Sequence, residues 1–296
     1  MHPSRPPVHG PAPLPRPLTA IERCLVMGVL NVTPDSFSDG GDWYRPEQAI
    51  PRGLALAAEG ADIVDVGGES TRPGAVRIGA QEELDRVLPV VAGLTAAGVA
   101  VSVDTTRAAV AQAAVEHGAV IVNDVSAGTA DPEMAALIAR TGVVYVAMHS
   151  RGASDVMDTL DKYDDVVADV ASELGERVAV LRSAGVLEHQ LVLDPGLGFA
   201  KAGANNWPLL ARLGVLRDLG YPLLVGASRK RFLGALLADA AGVPALPARR
   251  DSATTAVTAL VATAGAWCVR VHDVAGSADA VRVAAAWTAA AGEDVQ

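Results

Sequence analysis

The chain has 296 residues, with 24 Lys and Arg against 34 Asp and Glu, so its formal charge is −10 and its pI is about 5.0. This acidic balance excludes a surface that binds nucleic acid or an anionic membrane through general charge attraction. No run of about 18 apolar residues occurs, so no membrane-spanning helix is expected. The length fits one α/β barrel domain of roughly 250 residues, and on length alone two smaller domains fit as well.

The first 22 residues differ in composition from the rest of the chain. They are rich in proline and lack the apolar stretch of a signal peptide, so we predict a disordered tail over 1–22 and one domain over 23–292. A role of this tail as a PxxP ligand is an alternative. Cys24 and Cys268 are the two cysteines of the chain, which excludes a disulfide framework or a CxxC metal knuckle and predicts a cytoplasmic location.

From residue 24 onward, short apolar segments alternate with longer segments of helical periodicity. Strands are predicted at 24–31, 62–68, 99–104, 119–124, 143–149, 190–196, 222–228 and 266–272. Helices are predicted at 46–60, 81–97, 107–117, 131–141, 163–186, 205–220, 251–265 and 277–290, with a short extra helix over 229–240. The alternation predicts a single (β/α)8 TIM barrel of the α/β class. An open doubly wound sheet is the alternative, but no GxGxxG motif follows the first strand.

Almost every predicted strand ends on a polar side chain that could take part in chemistry. These side chains are Asn31, Asp104, Asn123, His149, Asp194, Ser228, Arg270 and His272. Barrel enzymes carry their active sites at the C-terminal ends of the strands, and helix capping does not explain so many polar groups at one end. Because side chains alternate across a strand, we expect Arg270 and His272 to face the lumen and Val271 to face the helices. His149 is interpreted as a structural histidine.

Four polar residues of the even-numbered strands are expected to share neighbouring layers of the lumen. They are Asp65, Asn123, Asp194 and Arg270. Buried carboxylates need partners, since an unpaired buried charge costs several kcal/mol. We therefore expect Arg270 to offset part of the charge of Asp65 and Asp194, and a ligand to supply the remaining donors.

Long segments of this chain resemble the signature segments of dihydropteroate synthases. They are MGVLNVTPDSFSDGG (27–41), DVGGESTRPGA (65–75), SVDT (102–105), VNDVSAG (122–128), MHSRG (148–152), LDPGLGFAK (193–201), GASRKRFLG (226–234) and RVHDV (270–274). The resemblance covers about residues 24–290 and leaves out the proline-rich tail. The fold that it implies is a (β/α)8 barrel, in agreement with the alternation of strands and helices.

The resemblance implies a transferase of folate biosynthesis. Such enzymes join 4-aminobenzoate to (7,8-dihydropterin-6-yl)methyl diphosphate, which gives 7,8-dihydropteroate and diphosphate. It implies that Asp104, Asn123, Asp194 and Lys230 bind the pterin, whose N–H donors and ring acceptors suit carboxylate, amide and ammonium groups. Small-molecule substrates, a target of sulfonamides and a homodimer are also implied, whereas nucleic acid and membrane are not expected as partners.

The remaining roles that the resemblance implies concern the diphosphate, Mg²⁺ and 4-aminobenzoate. It implies that Arg270 and His272, with Asn31 and Thr71, form the diphosphate and Mg²⁺ site, in which Asn31 is the expected ligand of the metal. Val271 belongs to the substrate-binding set that it implies. The catalytic set that it implies is Asp35, Ser36, Phe37, Arg72, Lys230 and Arg270. The set expected around 4-aminobenzoate is Thr71, Arg72, Pro73, Phe199 and Lys230.

Two departures from the family pattern and two alternative functions accompany this interpretation. The stretch ASDVMDTL after MHSRG lacks the usual Gln, and Arg231 stands where Ser is frequent, beside the expected 4-aminobenzoate pocket. A pterin-dependent methyltransferase domain is one alternative, but TPDSFSDGG, STRPG and SRKR are segments that serve 4-aminobenzoate and diphosphate. A noncatalytic pterin-binding paralogue is the other, although none of the expected site groups is missing from the sequence.

Overall fold

The computed structural model describes residues 10–11, 14–33, 45–69, 77–152 and 159–293, and within them eight strands alternate with helices. The strands are β1 (Leu25–Asn31), β2 (Ile63–Gly67), β3 (Val101–Asp104), β4 (Ile121–Asp124), β5 (Val144–Met148), β6 (Leu191–Asp194), β7 (Leu224–Val225) and β8 (Cys268–Val271). Each strand lies inside one of the predicted strand segments, because runs of Val, Ile and Leu between polar connections mark strands that are buried on both faces.

The strands are parallel and form a ring in the order β6-β5-β4-β3-β2-β1-β8-β7. Strand β1 pairs on both sides, with Met27 opposite Ile63 of β2 and opposite Arg270 of β8. The ends of this order meet, because Leu193 forms a bridge with Leu223 and its N–H donates to the Pro222 carbonyl at 2.9 Å. The predicted (β/α)8 barrel is therefore confirmed, and the open sheet is excluded.

Helices surround this ring. They are α1 (Arg16–Thr19), α2 (Pro46–Glu59), α3 (Ala80–Ala96), α4 (Ala108–Glu116), α5 (Met134–Thr141), α6 (Val166–Ser183), α7 (Asn206–Ala211), α8 (Leu213–Arg217), α9 (Arg231–Leu236), α10 (Asp251–Thr263) and α11 (Val274–Glu293). The extra helix predicted after β7 is present as α9. The single helix predicted over 205–220 is wrong, since Arg212 leaves helical geometry with φ −112° and ψ 34° between α7 and α8. Its guanidinium instead pairs at 2.8 Å with Asp165, the N-cap of α6.

The core has two parts that follow the alternation of side chains along each strand. Outward-facing residues such as Val66, Val103 and Tyr145 pack against the helices in one large cluster. Inward-facing residues near the N-terminal ends of the strands form a second cluster inside the lumen, which includes Met27 and Val192. We call this second cluster the lumen floor; its strand residues are Leu25, Met27, Ile63, Ile121, Val144, Val146, Val192, Leu224 and Cys268.

The segment that precedes β1 packs on the lumen floor. Leu14 and Leu18 of this segment are each 7% exposed and belong to the same cluster as Met27 and Ile121. The prediction of a disordered tail is therefore wrong for residues 14–22, because two leucines spaced by four residues bury their side chains under the barrel. Residues 1–9, 12 and 13 of the predicted tail lie outside the described residues. No helix in the described part of the chain is both long and apolar enough to cross a membrane.

Candidate active site at the C-terminal mouth of the barrel

A layer of polar side chains lies on top of the lumen floor. Arg270 Nη2 is 3.1 Å from Asp194 Oδ2, and Arg270 Nη1 donates to Asn123 Oδ1 at 3.4 Å. Asn123 Nδ2 in turn donates to Asp65 Oδ2 at 3.0 Å. The expected juxtaposition of these four side chains is confirmed, and the alternation of side chains along parallel strands is its cause. We call Asp65, Asn123, Asp194 and Arg270 the polar layer.

The carboxylates of this layer keep acceptor capacity. Neither Asp65 Oδ1 nor Asp194 Oδ2 accepts a well-formed hydrogen bond from the residues that the structure describes, although both atoms are buried. Burial raises the pKa of Asp65, and the Arg270 guanidinium offsets part of that rise. Burial and the nearby Asp65 charge hold the pKa of Asp104 well above its usual range. Asp65 Oδ1 has no hydrogen-bond donor among the described residues, and Asp194 Oδ2 has only its ion pair with Arg270. Buried acceptors with so few donors are costly, so this geometry favours a ligand that presents N–H groups to the layer.

Asn31 and Asp104 flank a small space at the ends of β1 and β3. A Cβ atom placed on Gly67, which lies between them, would be 3.7 Å from both Asn31 Oδ1 and Asp104 Oδ2. The glycine therefore leaves room beside an amide oxygen and a carboxylate. No group of three or more His, Cys, Asp or Glu able to hold a metal occurs among the described residues. This donor set is too small for a protein-only metal cage, but it suits Mg²⁺ that is held mainly by substrate phosphates.

Lys230 and Phe199 form one wall of the mouth. The Lys230 ammonium lies 4.2 Å from the centre of the Phe199 ring, within the range of a cation–π contact. Burial, together with the Arg270 charge, lowers the pKa of Lys230 to about 7. Gly198 has φ +75°, and a Cβ atom there would be 3.1 Å from Lys230 Cδ, so this close approach favours glycine.

The connection after β7 fixes the direction of Lys230. Arg229 has φ +56°, a left-handed conformation that is uncommon for a residue with a side chain. Its guanidinium binds both carboxylate oxygens of Asp251, at 2.7 and 2.9 Å. Its carbonyl accepts a hydrogen bond from Arg250 at 2.8 Å. These contacts at the start of α10 offset the unfavourable backbone conformation at Arg229.

His272 lies just beyond the end of β8 and is oriented by Ser228. The His272 backbone N–H donates to Ser228 Oγ at 3.1 Å, and His272 Nδ1 is 2.9 Å from the same oxygen. The serine hydroxyl can therefore donate to Nδ1, which leaves Nε2 as the protonated nitrogen of the neutral ring. Val271 is 1% exposed and its side chain packs in the outer cluster, on the helix side as expected, so its place in the substrate-binding set remains a prediction.

Six of the predicted site residues fall in parts of the chain that the structure does not describe. They are Asp35, Ser36, Phe37, Thr71, Arg72 and Pro73. Residues 153–158 of the altered stretch ASDVMDTL also lie outside the described residues. Arg231, the other departure from the family pattern, is exposed at the start of α9.

Sequence reasoning missed a buried network behind the Phe199 wall. Lys201 is only 3% exposed and lies 2.8 Å from His149 Nδ1. His149 Nε2 contacts Glu173 of α6 at 3.0 Å, in agreement with its interpretation as a structural histidine. The one sequence signal for this network was the position of Lys201 inside the LDPGLGFAK segment.

Comparison with known proteins adds an independent observation. The family model of pterin binding enzymes matches residues 27–272. A dihydropteroate synthase of Mycobacterium leprae is 56% identical over 263 residues, 88% of this chain and 93% of the relative. A dihydropteroate synthase of Bacillus subtilis is 43% identical over 261 residues, 88% of this chain and 87% of the relative.

Solved structures give the same result. Yersinia pestis dihydropteroate synthase in a sulfonamide complex superimposes with a TM-score of 0.85 at 40% identity, over 90% of this chain and 95% of that one. The Xanthomonas albilineans enzyme in complex with 7,8-dihydropteroate gives 0.79 at 43% identity, with the same coverages of 90% and 95%. The chain therefore belongs to the pterin binding enzymes and, within them, to the dihydropteroate synthases.

Proposed function

We propose that this barrel condenses (7,8-dihydropterin-6-yl)methyl diphosphate with 4-aminobenzoate to give 7,8-dihydropteroate and diphosphate. The observation that carries the proposal is the polar layer, in which the buried Asp65 and Asp194 retain acceptor capacity beside Arg270 and Lys230. The pterin offers N–H donors along one edge and acceptors on its ring, so it matches these groups. The names of the relatives support the same reaction.

In this assignment the pterin binds in the upper lumen. Asp194 and Asp104 accept hydrogen bonds from the pterin, and Lys230 and Asn123 complement its remaining polar atoms. Asn123 is 0% exposed and already donates to Asp65, so its amide is held in one orientation before the substrate arrives. Each charge-assisted hydrogen bond of this kind contributes roughly 1.5–3 kcal/mol.

The reaction breaks the bond between the pterin methylene carbon and the diphosphate oxygen, and it forms a bond from that carbon to the amine nitrogen of 4-aminobenzoate. The amine then loses a proton. Arg270 and His272 stabilise the negative charge that develops on the leaving diphosphate. No side chain needs to form a covalent bond with the substrate, and the Phe199 ring with Lys230 lines the side from which the amine approaches.

We also propose that Mg²⁺ assists the departure of diphosphate. The small space beside Gly67 supports this, because Asn31 Oδ1 offers it a neutral oxygen and Asp104 lies on its other side. Asn31 would hold the ion, which supplies charge neutralisation on the diphosphate when bound. Loss of turnover in excess EDTA, restored by added Mg²⁺ but not by added Ca²⁺, is the expected outcome.

A homodimer and a cytoplasmic location remain predictions from the family resemblance and from the sparse cysteines. Cys24 and Cys268 are both free thiols in the structure, as a reducing compartment would require. Light scattering on the purified chain tests the homodimer, with twice the monomer mass as the expected result.

The assay that tests the reaction uses the purified chain with pterin diphosphate, 4-aminobenzoate and Mg²⁺. We expect 7,8-dihydropteroate and diphosphate to appear in equal amounts, identified by mass spectrometry and a diphosphate assay. Binding of 6-hydroxymethylpterin without any product would instead identify a noncatalytic pterin-binding paralogue. Diphosphate release without dihydropteroate would contradict the proposed acceptor.

A further inference from the structure

Lys201 is a buried lysine whose three donors meet three acceptors. Its ammonium donates to the Gly196 carbonyl at 3.1 Å and to the Phe199 carbonyl at 2.9 Å, and it lies 2.8 Å from His149 Nδ1. Lys201 as a whole is 3% exposed, so its ammonium depends on these protein acceptors. A protonated lysine has three N–H donors and no acceptor, and all three are used here.

The histidine in this contact is set up as an acceptor by its other neighbour. His149 Nε2 lies 3.0 Å from Glu173 Oε2, and an ionised carboxylate can only accept a hydrogen bond. Nε2 therefore carries the ring hydrogen, and Nδ1 presents its lone pair to Lys201. Burial, together with the Lys201 charge, lowers the pKa of His149 to about 4, in agreement with a neutral ring.

The loop that Lys201 holds is unusual in its backbone. Gly196, Gly198 and Ala200 have φ values of +63°, +75° and +48°, so alternate residues adopt left-handed conformations. Such a path does not form the repeated hydrogen bonds of a helix or a strand. Within it the Phe199 N–H donates to the Gly196 carbonyl at 3.0 Å, and further partners come from outside the loop. Lys201 supplies these partners to Gly196 and Phe199, which lie three residues apart.

Both ends of this loop reach the proposed substrate site. The Gly196 N–H donates to Asp194 Oδ1 at 2.7 Å, which leaves Oδ2 of the same carboxylate directed toward Arg270. At the other end, the Phe199 ring lies 4.2 Å from the Lys230 ammonium. One buried ammonium is therefore bonded to the backbone of the residues that orient Asp194 and carry Phe199.

We propose that Lys201 is a positioning residue of the active site, which fixes the 195–200 loop so that Phe199 and Asp194 hold their places in the 4-aminobenzoate and pterin subsites. The proposal rests on the proposed function for the identity of those substrates. Lys201 touches neither substrate in this assignment and acts through the loop alone. A purely structural lysine would lower stability without changing the affinity for one substrate selectively.

The loop has a second support that separates these two possibilities. Asn206 Oδ1 accepts from the Gly198 N–H at 2.7 Å, and Asn206 Nδ2 donates to the Lys201 carbonyl at 3.1 Å. These contacts use the Lys201 backbone and persist when its side chain is replaced. A side-chain substitution is therefore expected to loosen the two carbonyls of Gly196 and Phe199 while the chain path stays in place.

The primary test replaces Lys201 by methionine, which keeps the length of the side chain and removes its donors. The matched control is Lys162→Met, the same change at an exposed lysine. We expect Lys201→Met to raise the KM for 4-aminobenzoate by about tenfold and to change kcat by less than about threefold, with Lys162→Met unchanged. A tenfold loss of kcat at an unchanged KM for 4-aminobenzoate would contradict a positioning role at that subsite.

A double-mutant cycle with Phe199→Ala gives the sharper readout. If Lys201 acts through Phe199, adding Lys201→Met to Phe199→Ala raises the KM for 4-aminobenzoate by less than about twofold. If the two substitutions multiply their separate effects, Lys201 does not act through that ring and the proposal is overturned. If Lys201→Met acted only by destabilising the whole protein, its effect on KM would also multiply with that of Phe199→Ala. The cycle therefore distinguishes general destabilisation from positioning.

A binding-independent measurement distinguishes failure of this proposal from failure of the proposed function. Amide hydrogen exchange at residues 196–200 is expected to rise about tenfold in Lys201→Met relative to the wild type, in the absence of substrates. Unchanged exchange overturns the role of Lys201 whatever the activity. Absence of dihydropteroate with the wild-type chain would overturn the proposed function while leaving the exchange result interpretable.

If Lys201→Met does not fold, His149→Ala takes its place. That variant removes one of the three acceptors and leaves the bonds to the two loop carbonyls, so a smaller increase of about threefold in exchange and in the KM for 4-aminobenzoate is expected. No change in either quantity would contradict the proposed network.

Discussion

The lower and upper halves of the barrel lumen come from the same strands, yet they have opposite chemistry. A step of two residues along a strand, about 7 Å, separates an apolar inward-facing side chain from a polar one. The pairs are Ile63 and Asp65, Ile121 and Asn123, Val192 and Asp194, and Cys268 and Arg270. The lumen floor is thus a dry base directly beneath the polar layer.

This contrast shows how an acidic protein can bind two anions. The overall charge of −10 repels diphosphate and benzoate, so local cations must attract them. Arg270 and Lys230 lie above an apolar floor that excludes water, and charges in such surroundings interact more strongly than at the surface. The floor therefore contributes to binding through the electrostatics of the layer above it.

The largest effect is expected from Asp104→Asn in the upper half. The substitution keeps the shape of the side chain but removes an acceptor for the pterin, so turnover should fall by about 100- to 1,000-fold. Stability should not fall, because a carboxyl whose pKa is raised by burial and by Asp65 loses an unfavourable charge. Steady-state kinetics and urea unfolding measure both quantities, with the exposed Asp85→Asn as control. Turnover at the wild-type level would refute the role of Asp104.

Met27→Ala examines the lower half. Met27 is 0% exposed in the lumen floor, and its truncation should lower the free energy of unfolding by about 3 kcal/mol. Because the polar layer lies above it, KM for both substrates should stay within about twofold of the wild type. The control is Leu246→Ala at a side chain that is 72% exposed. A large change in KM with little loss of stability would show that the two halves are not separable.

The pH dependence sharpens the comparison because activity and stability should move in opposite directions. The pKa of Lys230 is lowered to about 7, so its ammonium is lost above that pH and kcat/KM for pterin diphosphate should fall about tenfold from pH 6 to pH 8. The unfolded chain keeps this proton until near the ordinary value of 10.5, so the Lys230 contribution to stability rises with pH between about 7 and 10.5. Lys230→Met should remove the pH dependence of kcat/KM and weaken that of stability, to which Lys201 still contributes because burial also lowers its pKa to about 7. An unchanged pH profile of kcat/KM in that variant would assign the inflexion to another group.

The smallest effect is expected beneath the floor. Leu18→Ala removes a side chain that is 7% exposed under the barrel, so the free energy of unfolding should fall by about 1–2 kcal/mol without any change in kinetics. Arg16→Ala, an exposed change in the same short helix, is the control and should have no effect. A stability equal to that of the wild type in Leu18→Ala would mean that this segment is not held on the floor in solution.

The strands and the polar layer could be predicted from the sequence. The packing of the segment before β1 and the break between α7 and α8 could not. Strand runs rich in Val, Ile and Leu and the two-residue alternation placed Asp65, Asn123, Asp194 and Arg270 together. The burial of Leu14 and Leu18 was missed because seven prolines in the first 20 residues have the composition of a disordered segment. At the break between α7 and α8, Arg212 pairs with Asp165, which lies 47 residues away in the sequence, and local periodicity does not report such a contact.

Lys201 was difficult to predict for a related reason. A lysine in a glycine-rich loop usually lies at the surface, and its burial depends on carbonyls and a histidine contributed by two different connections. Val271 stands between Arg270 and His272 in the sequence, but its side chain faces the other side of the sheet. Parity decides such cases, and it had assigned Val271 to the helix side.

The closure of the ring between β6 and β7 has a mechanical consequence. β1 is registered with β2 at five positions and with β8 at four, whereas β6 and β7 meet through a single bridge between Leu193 and Leu223. The weakest seam of the cylinder therefore lies between β6 and β7, beside the two-position pairing of β7 with β8, and thermal opening is expected where the fewest hydrogen bonds must break. This seam ends beside Ser228 and Lys230, so local opening is expected next to the mouth before it reaches the wall formed by β1 and β2.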